Sequence, residues 1–334
     1  MSIFYHSRRH RSRGFTLIEI MIAMIIGLVL IGGVIQVFLG QRASHKTQEA
    51  LSRLQENARF ALSVLVKEIS KSGHMGCLTS SDDVVNTLSA AADPTFSFET
   101  AIGGTDSNGV GPNGEDWDQI QVRSAGASQT SPALAIVSPP DIALGGTAPI
   151  TLDPAASGYS DLVQYDIFAV GDCTAAAIFM ITNDPSASGG VIEHEDAIAA
   201  NGHPTTDNGM TNVTEDLQHQ FGALQSSVAT GISVTASEFL IQNNASGDPA
   251  LFLNGREIVD GIVGMEILYG EDLAPLDLTA DRYVNATEID ASGDWNNVTS
   301  VRVTLTVSSV DTLDDSGALT REITTTIKLR GRGV

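Results

Sequence analysis

The 334-residue chain carries 18 basic and 40 acidic side chains, a net charge of −22 at neutral pH. Such an excess of acid repels phosphate backbones, which sets nucleic-acid binding far behind other functions. Only two cysteines occur, Cys77 and Cys173, which excludes a disulfide-dense miniature scaffold but allows one bridge in an oxidising compartment.

The first fourteen residues hold Arg8, Arg9, Arg11 and Arg13 and no acid, so residues 15–334 contain 14 basic against 40 acidic groups. Phe15 to Leu39 follow as 25 residues in which Glu19 is the only charge. As a helix this run reaches about 37 Å, enough to cross a hydrocarbon core of about 30 Å. The arginines precede it, so the positive-inside rule keeps the N-terminus cytoplasmic and sends everything after Gln41 outward. A secretory signal would need a small-x-small cleavage site after the apolar run, and "FLGQRAS" offers none that convinces. A plain anchor explains the hydrophobicity but not Glu19. An ionised carboxylate in a membrane helix costs several kcal/mol, on the order of 3, unless it is paired.

The stretch Arg13-Gly14-Phe15-Thr16-Leu17-Ile18-Glu19 resembles the class III signal of type IV pilins and type II secretion pseudopilins. The resemblance implies a prepilin peptidase that cuts after Gly14 and methylates the new N-terminal Phe15. It also implies that Glu19, the acid at the fifth mature position, compensates that amine. Glu19 lies about 6 Å along the helix from Phe15, within reach of its own amine or that of an axially displaced neighbour. At low dielectric an unpaired charge is costly, and this makes subunit register an electrostatic decision. Gly27, Gly32 and Gly33 provide small surfaces for helix contact, although they are ordinary in any membrane helix.

Beyond Gln41 the pattern becomes amphipathic. Leu51, Leu54, Ala58, Ala61, Leu62, Leu65 and Ile69 recur at three- and four-residue spacing, and no proline interrupts Phe15 to Ser72. Gly73 fits a C-cap, with Lys67 and Lys71 in the last turns. The pattern predicts one helix of about 55 residues and roughly 80 Å, its outer half packed on a β domain. A coiled coil, the competing use, needs more heptads than this stripe sustains. "LQENARFALSVLVKEISKSGHMGC", with its Gly76-Cys77 pair, is similar to the region just outside the membrane in PilW-type minor pilins. The larger minor pseudopilin of type II secretion is the nearest alternative.

The rest of the chain reads as short strands between turn-rich segments. The clearest are 118–124, 162–170, 176–183, 231–242, 250–270, 300–310 and 321–331. Val301, Val303, Leu305 and Val307 alternate with Arg302, Thr304 and Thr306, giving that strand one core face. The strand from Thr320 can complete a hairpin with it. "GREIVDGIVGMEILYGED" also fits a short helix leading into a strand. Residues 80–115, 184–220 and 271–299 read as surface loops. The expected fold is α+β and pilin-like, a long N-terminal helix packed on a C-terminal, mainly antiparallel β domain. Its divisions are a leader at 1–14, a transmembrane half at 15–39, an amphipathic half at 40–73 and a globular body at 74–334. "DCTAAAIFMITND" again resembles PilW-type sequences, and this resemblance implies a disulfide between Cys77 and Cys173.

Chemistry is sparse. Residues 109–114 match GxGxxG, but no strand precedes them and Pro112 interrupts them. Glu193, His194, Glu195, Asp196 and His203 are metal-capable types without a zinc-site spacing, and read as solvated loop residues. Asp106, Ser107, Asn108, Glu115, Asp116 and Asp118 could offer oxygens to calcium. Val110 and Trp117, however, stand where an EF-hand needs ligands. Glu271, Asp272, Asp277 and Asp281 form another acidic loop. The reading is therefore a structural protein with no catalytic residue, cofactor or metal. The resemblance makes it a minor pilin that supports pilus assembly near the filament tip. Implied partners are the prepilin peptidase, other minor pilins, the major pilin, a tip adhesin and the inner membrane. A membrane-anchored hydrolase or binding protein is the alternative from another class.

Overall fold

The computed structural model describes residues 16–74, 84–89, 100–106, 117–125, 133–139, 142–143, 145–196, 210–222, 228–309 and 318–329. Its first element is α1, Leu17–Ile69, a 53-residue helix close to the expected length. Ala50, Leu54, Ala58, Ala61, Leu65 and Ile69 are its buried residues, all in the outer half. Their spacing makes one stripe, and the two central alanines let the sheet approach closely. Burial of Leu54, Leu65 and Ile69 contributes about 2 kcal/mol each. Leu51 falls on the exposed side, because Ala50 takes the stripe position that the sequence reading gave to leucine. The helix ends at Ser70, and Gly73 turns the chain at φ 73°.

The strands are β1 (Val84–Asn86), β2 (Ile102–Thr105), β3 (Gln119–Ala125), β4 (Leu134–Ser138), β5 (Ile150–Leu152), β6 (Ile167–Gly171), β7 (Ala176–Met180) and β8 (Val191–Ile192). They continue with β9 (Thr230–Asn243), β10 (Pro249–Leu253), β11 (Arg256–Asp260), β12 (Ile262–Glu271) and β13 (Arg282–Val284). A short helix, α2 (Ala286–Ser292), leads to β14 (Val298–Ser308) and β15 (Thr320–Lys328).

One sheet has the order β13-β12-β14-β15 and is antiparallel throughout. Val301, Val303, Leu305 and Val307 are fully buried on the face toward α1, as their alternation predicts, while Arg302, Thr304 and Thr306 stay half-buried. The β14–β15 hairpin register runs without a break from Ser300 opposite Lys328 to Ser308 opposite Thr320.

The larger sheet is organised by β9. Its first half pairs with β6 and its second half with β3 and then β10. Gly231 is required there, since a Cβ would lie 2.5 Å from the Phe168 ring. The ladders are antiparallel except β1 with β7. One apolar cluster joins α1 to β3, β9, β10, β12, β14 and β15; another lies among β4 to β8 around Phe168 and Phe179.

Two expectations change. The 250–270 run holds no helix: Asn254 and Gly255, both at positive φ, turn β10 directly into β11. None of the three supposed loops is free of regular structure: 80–115 contains β1 and β2, 184–220 contains β8, and 271–299 contains β13 and α2, all stabilised by contacts that local composition does not reveal.

Candidate functional site

At the start of α1, Thr16 is the N-cap and its hydroxyl accepts from the Glu19 backbone N–H at 3.3 Å. Glu19 therefore sits in the first turn, where a carboxylate is favoured by the uncompensated N–H groups of the helix. From Leu17 to Leu39 the large apolar side chains are exposed, with Leu28 at 76%. This helix is long and apolar enough to cross a membrane. Gly27, Gly32 and Gly33 open onto free space on its surface. Gly14 and Phe15, the expected processing residues, lie outside the described residues.

The outer half of α1 is fastened at two levels. Asn57 Nδ2 donates to Asp260 Oδ1 at 2.8 Å and to Asp260 O at 3.3 Å. At the helix end, Ser72 Oγ donates to Ala101 O, Gly73 N to Arg123 O, and Ala125 N to His74 O. Buried Arg123 reinforces this junction by donating to Thr100 O and to Gln121 Oε1, each at 3.1 Å. Sequence reasoning singled out neither Asn57 nor Arg123; their partners are remote in the chain and leave no periodic signal.

Cys173 occupies the exposed turn between β6 and β7. Its neighbour Asp172 shapes that turn, accepting from Thr174 N at 2.8 Å, Ala175 N at 3.2 Å and Gly222 N at 3.2 Å. Burial alone would raise the Asp172 pKa, but the hydrogen bonds from Thr174, Gly222 and Ala175 together hold it below the usual value. Cys77 lies outside the described residues.

The acidic groups prove to be structural ties. Asp106 accepts from Ala286 N at 2.9 Å and Thr287 N at 2.8 Å, capping α2 from across the fold together with Asn285. Asp118 accepts from Ile267 N at 2.6 Å and joins β3 to β12. Asp272 accepts from Leu278 N at 2.6 Å, and Asp281 from Leu273 N at 2.8 Å. Fully buried Glu271 is paired with Arg282 at 2.7 Å. His194 is not a solvated loop residue, as its sequence context suggested. It is 3% exposed, packs against Phe179 and lies 3.3 Å from Ala148 O through Nε2. Burial lowers its pKa. His203 and the 109–114 motif lie outside the described residues. Among the described residues no cluster of three metal-ligating side chains occurs.

A helix with a bare apolar half, long enough to cross a membrane, and an outer half packed on an antiparallel sheet defines a pilin-like α+β class of protein. Comparison with known families matches residues 9–35 to the prokaryotic N-terminal methylation motif. Residues 227–330, from β9 through β15, match Type IV Pilus-assembly protein W. Both matched segments are thus similar to type IV pilus-related, pilin-like proteins, families that are structural components of pili. Residues 36–226 lie outside both matched ranges, and they include the two stretches around Cys77 and Cys173 that resemble PilW-type sequences. No curated protein and no solved structure matches the chain.

Proposed function

We propose that the chain is a minor pilin, held in the inner membrane by residues 15–39 and then extracted into a type IV pilus, where it supports assembly near the tip. Residues 1–14 act as the leader, 40–73 as the docking half of the helix and 74–334 as the extracytoplasmic body. The prepilin peptidase removes the leader after Gly14 and methylates Phe15. The new amine and Glu19 then form the pair that admits the subunit into the filament beside other minor pilins, the major pilin and a tip adhesin. The observation that carries this reading is the methylation-motif match laid over a helix whose first turn holds Glu19 and whose apolar flank is uncovered. An ionised group at that depth is tolerated only with a partner, and leader removal supplies one.

A Cys77–Cys173 bridge ties the end of α1 to the β6–β7 turn. Support comes from Cys173, which is not a free thiol, and from Cys77 being the other cysteine of the chain. The deciding experiment replaces Glu19 with Ala in cells and scores leader removal and pilus incorporation separately. Normal processing with strongly reduced incorporation is expected; wild-type incorporation overturns the pairing mechanism.

A further inference from the structure

β15 forms one edge of the four-stranded sheet. It is a long edge of nine residues, about 30 Å, paired to β14 without a bulge and containing no proline. Ser309 N donates to Leu319 O, and Leu329 N to Thr299 O. These two bonds fix the alternation of the antiparallel ladder, so the odd-numbered residues of β15 turn their N–H and C=O groups to β14. Thr320, Glu322, Thr324, Thr326 and Lys328 turn theirs outward, and all five are exposed. Those outward groups have no backbone partner among the described residues. Proteins commonly shorten, bend or block such edges. Every other edge strand among the described residues has five residues or fewer. Ile323, at this rim, is only half-buried against the core that α1 shares with the sheet.

We propose that this edge accepts an extended, acidic segment of a different protein as an added fifth strand. An unpaired ladder of N–H and C=O groups is complementary to another extended backbone. Alternate side chains of that segment cover Ile323 on the core face and meet Thr324 and Thr326 on the outer one. Its acidity follows from charge. Residues 319–334 hold Arg321, Lys328, Arg330 and Arg332 against Glu322 alone, whereas residues 73–318 hold four basic and 35 acidic side chains. A second copy does not fit. Two identical β15 edges pair antiparallel about a two-fold axis normal to the sheet. That rotation turns α1, which lies on the sheet face, end for end and sends the two apolar halves in opposite directions. The other edges of this chain among the described residues are too short to cover nine residues.

The exclusion of a second copy rests on the membrane-anchored reading above. The test places a photo-crosslinking amino acid singly at positions 322 and 326 of the full-length chain in cells and maps the adducts. Both positions are expected to join one acidic segment of one other protein, at points about four residues apart, the one-to-one spacing of paired strands. Thr324→Pro removes an outward N–H and leaves the β14 ladder intact, since proline is tolerated where the N–H faces away from the sheet. It should lower both adducts about tenfold. Thr324→Val loses the hydroxyl contact with Thr304 but keeps the N–H, and should retain them. Unchanged thermal unfolding verifies that the proline variant is folded. Should it unfold, the exposed pair Arg321→Glu, Lys328→Glu decides, with the same fall expected. Adducts to another copy or to lipid, adducts scattered over unrelated positions, no adduct at all, or adducts that persist in the folded proline variant or the charge-reversed pair overturn the proposal. Normal incorporation of Glu19→Ala would instead overturn the filament reading, so the two failures are distinguishable.

Discussion

Asn57 on α1 bridges 203 positions of sequence to bond both the side chain and the main chain of Asp260. Together with the hydrogen bonds of Ser72, Gly73 and His74 at the helix end, the contact fixes how far along the helix the sheet sits. Asn57→Ala removes two donor contacts from a half-buried site and leaves the Asp260 oxygens to water. A loss of about 1–2 kcal/mol is expected. Denaturation of the full chain in detergent measures it, and an unchanged midpoint would show that the Asn57–Asp260 contact adds nothing to the apolar stripe and the helix-end hydrogen bonds.

Tyr269 and Gly104 form a second dependent pair. The Tyr269 side chain is fully buried, its hydroxyl has no hydrogen-bond partner among the described residues, and a Cβ at Gly104 would lie 1.9 Å from it. Burial, with Asp118, Asp106 and Asp290 nearby, pushes the phenol pKa well up, so the group stays neutral. Gly104→Ala is expected to cost about 2–3 kcal/mol through overpacking. Tyr269→Phe deletes the oxygen and should be neutral or slightly stabilising. In the double variant the cost of the alanine should shrink, although Gln119 O at 2.8 Å keeps it from vanishing. Equal costs of Gly104→Ala in both backgrounds would refute the coupling.

The proposed Cys77–Cys173 bridge closes a loop of nearly a hundred residues, which the chain-entropy model values at about 4–5 kcal/mol before strain. Cys173→Ser should lower stability by most of that amount. Thiol titration of the wild-type chain, denatured without reductant, should find no free thiol. Two reactive thiols would reject the bridge.

Legibility in the sequence followed the range of the forces involved. The basic leader, the apolar run, Glu19 and the Leu54–Ile69 stripe were readable because helical period and membrane length are local properties. The alternation from Val301 to Val307 gave its strand and its inward face for the same reason. The capping of α2 was not readable: Asp106 reaches Ala286 across 180 positions, and its own neighbours suggest a calcium loop. β13 and α2 were missed because turn-forming composition masks elements that depend on such remote ties. His194 lies between Glu193 and Glu195 and so looked solvated, yet tertiary packing sets it against Phe179.

That burial gives His194 a consequence for pH. Its folded-state pKa is depressed chiefly by desolvation, against opposing contributions from Ala148 O and nearby Glu215. The folded chain therefore holds the imidazole neutral, while the unfolded chain binds a proton below about pH 6.5. Stability contributed by the neutral ring is present above that value and is lost as pH falls beneath it, by at most about 1.4 kcal/mol per pH unit. His194→Gln cannot titrate, so its stability should decline less than wild type between neutral and mildly acidic pH. Urea denaturation of both chains across that range measures the difference. Parallel pH profiles would mean that the ring is accessible to protons in the folded state and that its packing against Phe179 does not exclude the charged form.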